Sequence, residues 1–279
     1  MYNGRLGVGL ISFNRAEYFS KVLESLELAE DTNIDYHLFQ DGYENKFSRE
    51  RKSNRFKIQE NISLFREADI PNKTEHIQDK NIGNGINQFQ AVEYLSQNYK
   101  YFMILEDDAI ISPDYFRILR ILIDQYLSKE NDIFSITLSC IRRCDELQIP
   151  LNLNKVMYDK QHWFGETWSS EKWQKVRKYF LQYYQFIQSC DYQRRPHKRI
   201  RDMFKANGLN IPQTSQDAGK DFMLHKAGMR RIAPVVNRGF YIGQKGMHFK
   251  PQTYQDYQFG IMKPYIFKED KTITSFEIL

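Results

Sequence analysis

Residues 101–116 read YFMILEDDAIISPDYF. The first five, Tyr101 to Leu105, form an apolar run of strand length with aromatic and β-branched character. Three carboxylates follow without a break: Glu106, Asp107 and Asp108. Ser112-Pro113-Asp114 then reads as a helix start, with Ser112 as N-cap and Pro113 at the first helical position. Open α/β sheets gather their ligands where buried strands end. Three adjacent carboxylates repel one another, so the pattern calls for a positive partner. A divalent cation carrying a phosphorylated ligand meets that need; a solvated acidic turn is the plainer alternative.

Upstream, strand and helix signals alternate. Leu6 to Ser12 is a short apolar run, and Asn14 is a candidate N-cap for a helix with apolar positions at Tyr18, Phe19, Val22, Leu23 and Leu26. Ile34 to Phe39 alternates and ends in the turn Gln40-Asp41-Gly42. Phe47 to Glu67 is charged and helix-like. Lys73 to Gln78 predicts a third strand, and the Gly/Asn loop 79–85 leads into a further helix. After the acid cluster come an amphipathic helix over 113–127 and a strand over 132–138. The βαβαβαβ order predicts an α/β fold with a mostly parallel sheet flanked by helices. The loops after Ser12, Phe39, Gln78 and Leu105 then share one sheet edge, which brings Asn14, Arg15, Asp41, Asn81 to Asn87 and Glu106 to Asp108 into a single site. The second half is less regular. It predicts a helix over 170–187 and another from Asp217 that closes at Gly228.

A chain of 279 residues with 41% hydrophobic and 27% charged residues suits one large soluble domain. Aromatic content reaches 15%, as ring-lined pockets would need. Three cysteines, Cys140, Cys144 and Cys190, are too few and too irregular for a disulfide framework, and no second pair at zinc spacing accompanies them. No apolar run approaches membrane-spanning length, and the N-terminus lacks a signal-peptide layout. These features point to the cytoplasm. The net charge of +5 is concentrated in Arg194-Arg195-Pro196-His197-Lys198-Arg199-Ile200-Arg201. Such a cluster suits a phosphorylated acceptor, peripheral contact with the anionic inner face of a membrane, or nucleic acid; a solvated loop is the simplest reading.

Three blocks resemble nucleotide-sugar-dependent glycosyltransferases of the GT-A (Rossmann-like) type, in particular the family 2-like bacterial enzymes of cell-surface polysaccharides. Leu10-Ile11-Ser12-Phe13-Asn14-Arg15 resembles the opening strand and donor loop. Leu105-Glu106-Asp107-Asp108, with Pro113, Asp114 and Phe116 downstream, is similar to the EDD form of the DXD metal motif. Pro234, Asn237, Gly239, Gly243 and Gly246-Met247-His248 resemble the segment that closes the site. Gly165-Glu166-Thr167-Trp168 with Trp173 resembles an acceptor-side loop more loosely. The resemblance implies a nucleotide-sugar half over 1–145, and an irregular acceptor half with the C-terminal tail over 146–279 of the same domain. It implies a Mn2+ or Mg2+ ion on Asp108 and His248. Ser12, Asn14, Arg15, Asp41, Asn81, Gly83, Asn87, Glu106 and Asp107 would hold a nucleotide-sugar, a UDP-sugar foremost, with Asp41 on the nucleobase. The acceptor would be a glycan or a lipid-linked sugar, with Trp163, Trp168 and Trp173 as a stacking floor. Inverting transfer needs a carboxylate base. Asp217, Asp221 and Glu166 are the candidates; Ser215-Gln216-Asp217 stands where related enzymes have Ser-Trp-Asp, and Asp217 leads because a helix N-terminus suits a carboxylate. Nucleotidyl transfer lacks an early Gly-rich phosphate loop here. A nucleic-acid binder would leave the acid cluster unexplained. A catalytically silent glycan-binding module is the remaining alternative.

Overall fold

A computed structural model of the chain describes residues 1–29, 31–137, 149–159, 165–246, 251–252 and 272–279. The elements in chain order are β1 (Leu6–Ser12), α1 (Ala16–Glu27), β2 (Ile34–Gln40), α2 (Arg55–Glu67), β3 (Lys73–Ile77), α3 (Asn84–Asn98), β4 (Tyr101–Glu106), β5 (Ala109–Ile111) and α4 (Tyr115–Leu122). A π-helical turn (Ile123–Leu127) leads to β6 (Ile133–Ile136), α5 (Ile149–Asn152), β7 (Lys155–Asp159), β8 (Glu166–Ser169) and α6 (Ser170–Ile187). A 3₁₀ turn (Tyr192–Arg194), α7 (His197–Ala206), α8 (Gln216–Ala227), β9 (Arg230–Pro234), β10 (Gly239–Tyr241) and β11 (Glu277–Ile278) complete the chain.

The main sheet runs β11-β7-β9-β6-β8-β4-β1-β2-β3. β3, β2, β1 and β4 are parallel neighbours, so their C-terminal ends share one edge. β8 enters antiparallel between β4 and β6, and β9 runs parallel to β6. The sheet is therefore mixed but mostly parallel, with helices on both faces.

Side-chain alternation explains the two cores. Tyr101, Met103 and Leu105 of β4 pack on one face with Leu6, Val8 and Leu10 of β1, beneath α1, α2 and α4. Phe102 and Ile104 point the other way, into a second core with α3, α6, α7 and α8. Glu106 continues that second phase, which aims it at α3. Trp168 and Trp173 lie inside this second core at 1% exposure each. They are packing residues and cannot form the stacking floor read from the sequence. β8 places Trp168 in mid-sheet, and Trp173 falls on the buried stripe of α6. Trp163, Cys140 and Cys144 lie outside the described residues.

Several boundaries differ from the sequence reading. The helix after the acid cluster starts at Tyr115, with Asp114 at its N-cap position rather than Ser112. The cause is a tertiary strand pairing. Residues 109–111 pair antiparallel with β10, and the Ser112 amide donates to the Arg238 carbonyl (2.8 Å), which holds the chain extended past Ser112. The Ser112 hydroxyl bonds to Asp114 Oδ1 instead of capping, and Asp114 Oδ2 accepts from the fully buried Arg238 (2.6 Å). Asn14 does not cap α1; Arg15 takes the N-cap position and Asn14 donates to Ser53. The charged stretch 47–67 is helical only from Arg55, where Asn54 accepts from the Lys57 amide. β1 has the bounds read from the sequence, and α8 is capped by Ser215 and closes at Gly228. Among the described residues no helix is long and apolar enough to cross a membrane.

Candidate functional site

A cleft of about 1410 Å³ opens at the C-terminal edge of β1, β2 and β4. That exceeds the space a single small ligand usually takes, roughly 300–1,000 Å³. Its lining includes Ser12, Asn14, Arg15, Asp41, Asn81, Gly83, Asn87, Glu106, Asp107, Asp108, Asp217 and Asp221. The loops read as one site therefore do meet. Glu166 is absent from this wall, and His248 lies outside the described residues.

The positive partner that the acid run demands is a side chain of the chain itself. Arg15 Nη2 pairs with Asp107, and Nη1 lies 2.5 Å from Asp108 Oδ2. Burial opposes the Arg15 charge, but Asp107 and Asp108 outweigh it and hold the guanidinium above its ordinary value. Charge repulsion among the three acids is thus no argument for a metal, because a guanidinium already relieves it. Asp107 also accepts from the Phe13 amide (3.3 Å). Glu106 stands apart and accepts from Gln88 Nε2 (2.6 Å) and Asn84 Nδ2 (3.1 Å). Its pKa is raised, first by burial and then by the charge of Asp217.

Asp108 sits deepest. Burial pushes it up to about 7, against the pull of Arg15. The Tyr241 hydroxyl hydrogen-bonds to its carboxylate. The Ile242 amide donates to its backbone carbonyl (2.8 Å). Gly243 closes over it, and a Cβ at position 243 would collide with the carboxylate. Its Oδ1 is buried with no hydrogen-bond partner among the described residues. Among those residues no three His, Cys, Asp or Glu side chains converge as a ready cage. Among the described residues of the cleft, Asp108 Oδ1 is the buried carboxylate oxygen without a partner, which suits a divalent cation as one protein ligand.

Asp41 has another task. Its Oδ1 accepts from the Gly42 and Ile82 amides (2.9 and 2.8 Å), and its Oδ2 from Asn81 Nδ2 and the Gly83 amide (2.7 and 3.0 Å). Four donors fill the capacity of a carboxylate, so Asp41 anchors the loop before α3 and has no site left for a nucleobase. Asn81 is locked in the same way by Asp41 and Asn45. Asn87 donates to the Phe39 carbonyl, and its buried Oδ1 has no partner among the described residues. Ser12 accepts from Asn61 (2.7 Å).

The three base candidates separate clearly. Glu166 is buried on β8 and paired with Lys220, so no acceptor hydroxyl reaches it. Burial pushes it up to about 7 while Lys220 pulls it down. For Lys220, burial works against the charge, but Glu166 and Asp217 outweigh it and its pKa ends raised. Asp221 pairs with Arg231 at 3.1 Å. Asp217 is the open one. Its side chain is 48% exposed in the first turn of α8, and Lys220 lies beneath it at 3.5 Å. Lys220→Met should destabilise the fold by about 3–5 kcal/mol, since Glu166 loses its buried partner. The penalty should grow with pH, because the folded variant must keep Glu166 protonated while the unfolded chain releases that proton above about 4.5. Urea unfolding at pH 6 and pH 8 measures it, and equal midpoints for wild type and variant at both would refute the ion-pair reading.

Sequence reasoning missed Lys52, Asp191, Tyr192 and Tyr241 in the cleft wall. Lys52 pairs with Asp191 at 2.6 Å and ties the loop after β2 to the turn before α7. Nothing local in the sequence signals that contact. The basic cluster was visible, and the structure puts Arg195, His197 and Arg201 on the cleft.

No family model matches the sequence, and no curated protein matches it. Among solved structures, the chain is similar to the mannosyltransferase PcManGT of Pyrobaculum calidifontis, solved with GDP-Man and Mn2+. The identity is 11% and the TM-score 0.45, over 63% of this chain and 47% of that one. It is similar to S. aureus TarS 1–349 in complex with UDP at 11% identity and TM-score 0.44, over 82% and 57% of the two chains. The galactosyltransferase LgtC, solved with donor and acceptor sugar analogues, gives 12% identity and TM-score 0.39 over 92% and 94%. The chain spans about half the length of the mannosyltransferase.

Proposed function

We propose that this chain is a glycosyltransferase that moves a sugar from a nucleoside diphosphate donor, a UDP-sugar foremost, to a hydroxyl of a glycan or lipid-linked acceptor, with inversion. The observation that carries the reading is the arrangement within one cleft. An acid cluster ends a buried parallel strand, Arg15 stands beside it, and an open carboxylate faces the same space from α8. The volume accommodates two ligands together.

The chemistry divides between those groups. Asp217 accepts the proton of the acceptor hydroxyl as that oxygen bonds to the anomeric carbon. The bond from the anomeric carbon to the diphosphate oxygen breaks, and its electron pair leaves with the diphosphate. Arg15 supplies a fixed positive charge at the edge where that negative charge develops. Asp108 would hold a Mn2+ or Mg2+ ion, with Glu106 and Asp107 beside it on the donor. Such an ion, when bound, offsets charge on the departing diphosphate. Glu106 is held by Asn84 and Gln88 rather than by Arg15, and would accept from a donor hydroxyl.

The test is ligand-induced stabilisation. A ligand that binds only the folded state raises the melting temperature by mass action. UDP, UDP-sugars and GDP-mannose, each with and without Mn2+, are screened by thermal denaturation, and positives are assayed for sugar release. At least one donor should stabilise and turn over. No shift with any of them would end this reading.

A further inference from the structure

The basic cluster is the conspicuous feature that the transfer reading leaves unused. Arg195 is 7% exposed, yet it has no carboxylate partner among the described residues. Its Nη1 donates to the Tyr183 hydroxyl and the Thr214 carbonyl, both at 3.3 Å. Its Nε is buried without a partner. The guanidinium rests over the Tyr192 ring at 4.5 Å and lines the cleft. It also abuts the first turn of α3: a Cβ on Gly85 would meet Nη2 at 3.2 Å. That turn has no side-chain cap. Its leading amides therefore add partial positive charge beside a full one. Arg201 lines the cleft from α7. A buried cation without a counter-charge is costly, and the start of α3, where Asp41 takes the Ile82 and Gly83 amides but no N-cap side chain takes those that follow, adds positive potential beside it.

The same spot borders the base. The Gly85 Cβ position lies 3.5 Å from Cβ of Gln216, the residue before Asp217. This wall of the cleft therefore adjoins Asp217. Resting on the glycosyl-transfer reading, we propose that the acceptor bears a phosphoryl group, and that Arg195 at the α3 N-terminus, with Arg201 on the same cleft, binds it. The charge is thus a specificity device: a neutral glycan leaves Arg195 unpaired, and a phosphorylated one satisfies it.

Phosphoryl chemistry also comes from the donor diphosphate, so the test separates the two sources. Binding of glycerol 3-phosphate, of glycerol and of UDP is measured by titration calorimetry on wild type, Arg195→Gln and Arg201→Gln. Wild type saturated with UDP should bind glycerol 3-phosphate and not glycerol. Arg195→Gln should weaken the phosphate probe about 10-fold or more, and the more exposed Arg201→Gln about 3-fold. UDP affinity should stay within about twofold in both, because the proposal gives these arginines to the acceptor and leaves the donor its own contacts. Arg201 has no described partner to lose, so its variant keeps the test valid if Arg195→Gln fails to fold. Loss of UDP and phosphate binding in parallel would assign the arginines to the donor and overturn the proposal. Equal binding of glycerol 3-phosphate and glycerol by wild type would overturn it as well. Wild type that binds the phosphate probe but no nucleoside diphosphate would remove the glycosyl-transfer reading, and the acceptor assignment with it.

Discussion

Asp108→Ala is expected to lower donor turnover about 10²- to 10³-fold, the scale seen when a single preorganised electrostatic partner is removed from an active site. The fold should survive. Arg15 keeps Asp107 as a partner, so no buried cation is stranded. Asp108→Asn is the sharper variant: it keeps the shape under Gly243 and the contact with Tyr241, and removes only the charge and the bare Oδ1 acceptor. Both variants are assayed for turnover in Mn2+ and in chelator, with far-ultraviolet dichroism as the folding control. Metal-dependent turnover at the wild-type rate in Asp108→Ala would remove Asp108 as a cation ligand. Wild-type turnover that persists undiminished in chelator would leave Arg15 as the operative cation.

Asp217→Asn is expected to reduce kcat by about 10²- to 10⁴-fold, the usual contribution of a positioned general base. UDP binding should remain within about twofold, since Asp217 serves the acceptor hydroxyl. Asp221→Asn should do far less, because its carboxylate is engaged by Arg231. Steady-state kinetics alongside UDP titration distinguishes the cases. Equal losses in kcat and UDP affinity for Asp217→Asn would assign it to donor binding. A larger loss for Asp221→Asn would exchange their roles.

Much of this site is legible in the sequence because strand ends are local signals. The apolar runs at Leu6 to Ser12 and Tyr101 to Leu105 have the length and continuous apolar character of buried strands, and the acids begin where the second one stops. Parallel order then forces their C-terminal loops together. What escapes is whatever depends on partners distant in sequence. Asp41 looks like a free turn carboxylate until the loop before α3 folds onto it. Glu166 looks like a base until β8 inserts mid-sheet and Lys220 covers it. Ser112-Pro113 has the composition of a helix start, and pairing with β10 overrides it. The tryptophans carry no sign of burial of their own, because the same residue suits a core and a sugar platform equally.

The small β5–β10 pairing has a consequence for how this molecule is made. Ala109 lies opposite Tyr241, and Asp114 is gripped by Arg238, partners more than a hundred residues apart. During vectorial synthesis the amino-terminal strands emerge first and can begin to pair. The carboxylate of Asp108 nevertheless waits for Tyr241 and Gly243 to leave the ribosome before its surroundings are complete. Nascent chains shorter than that hold the acids without the clamp that shapes them, so the finished cleft arrives late in translation, well after the first strands.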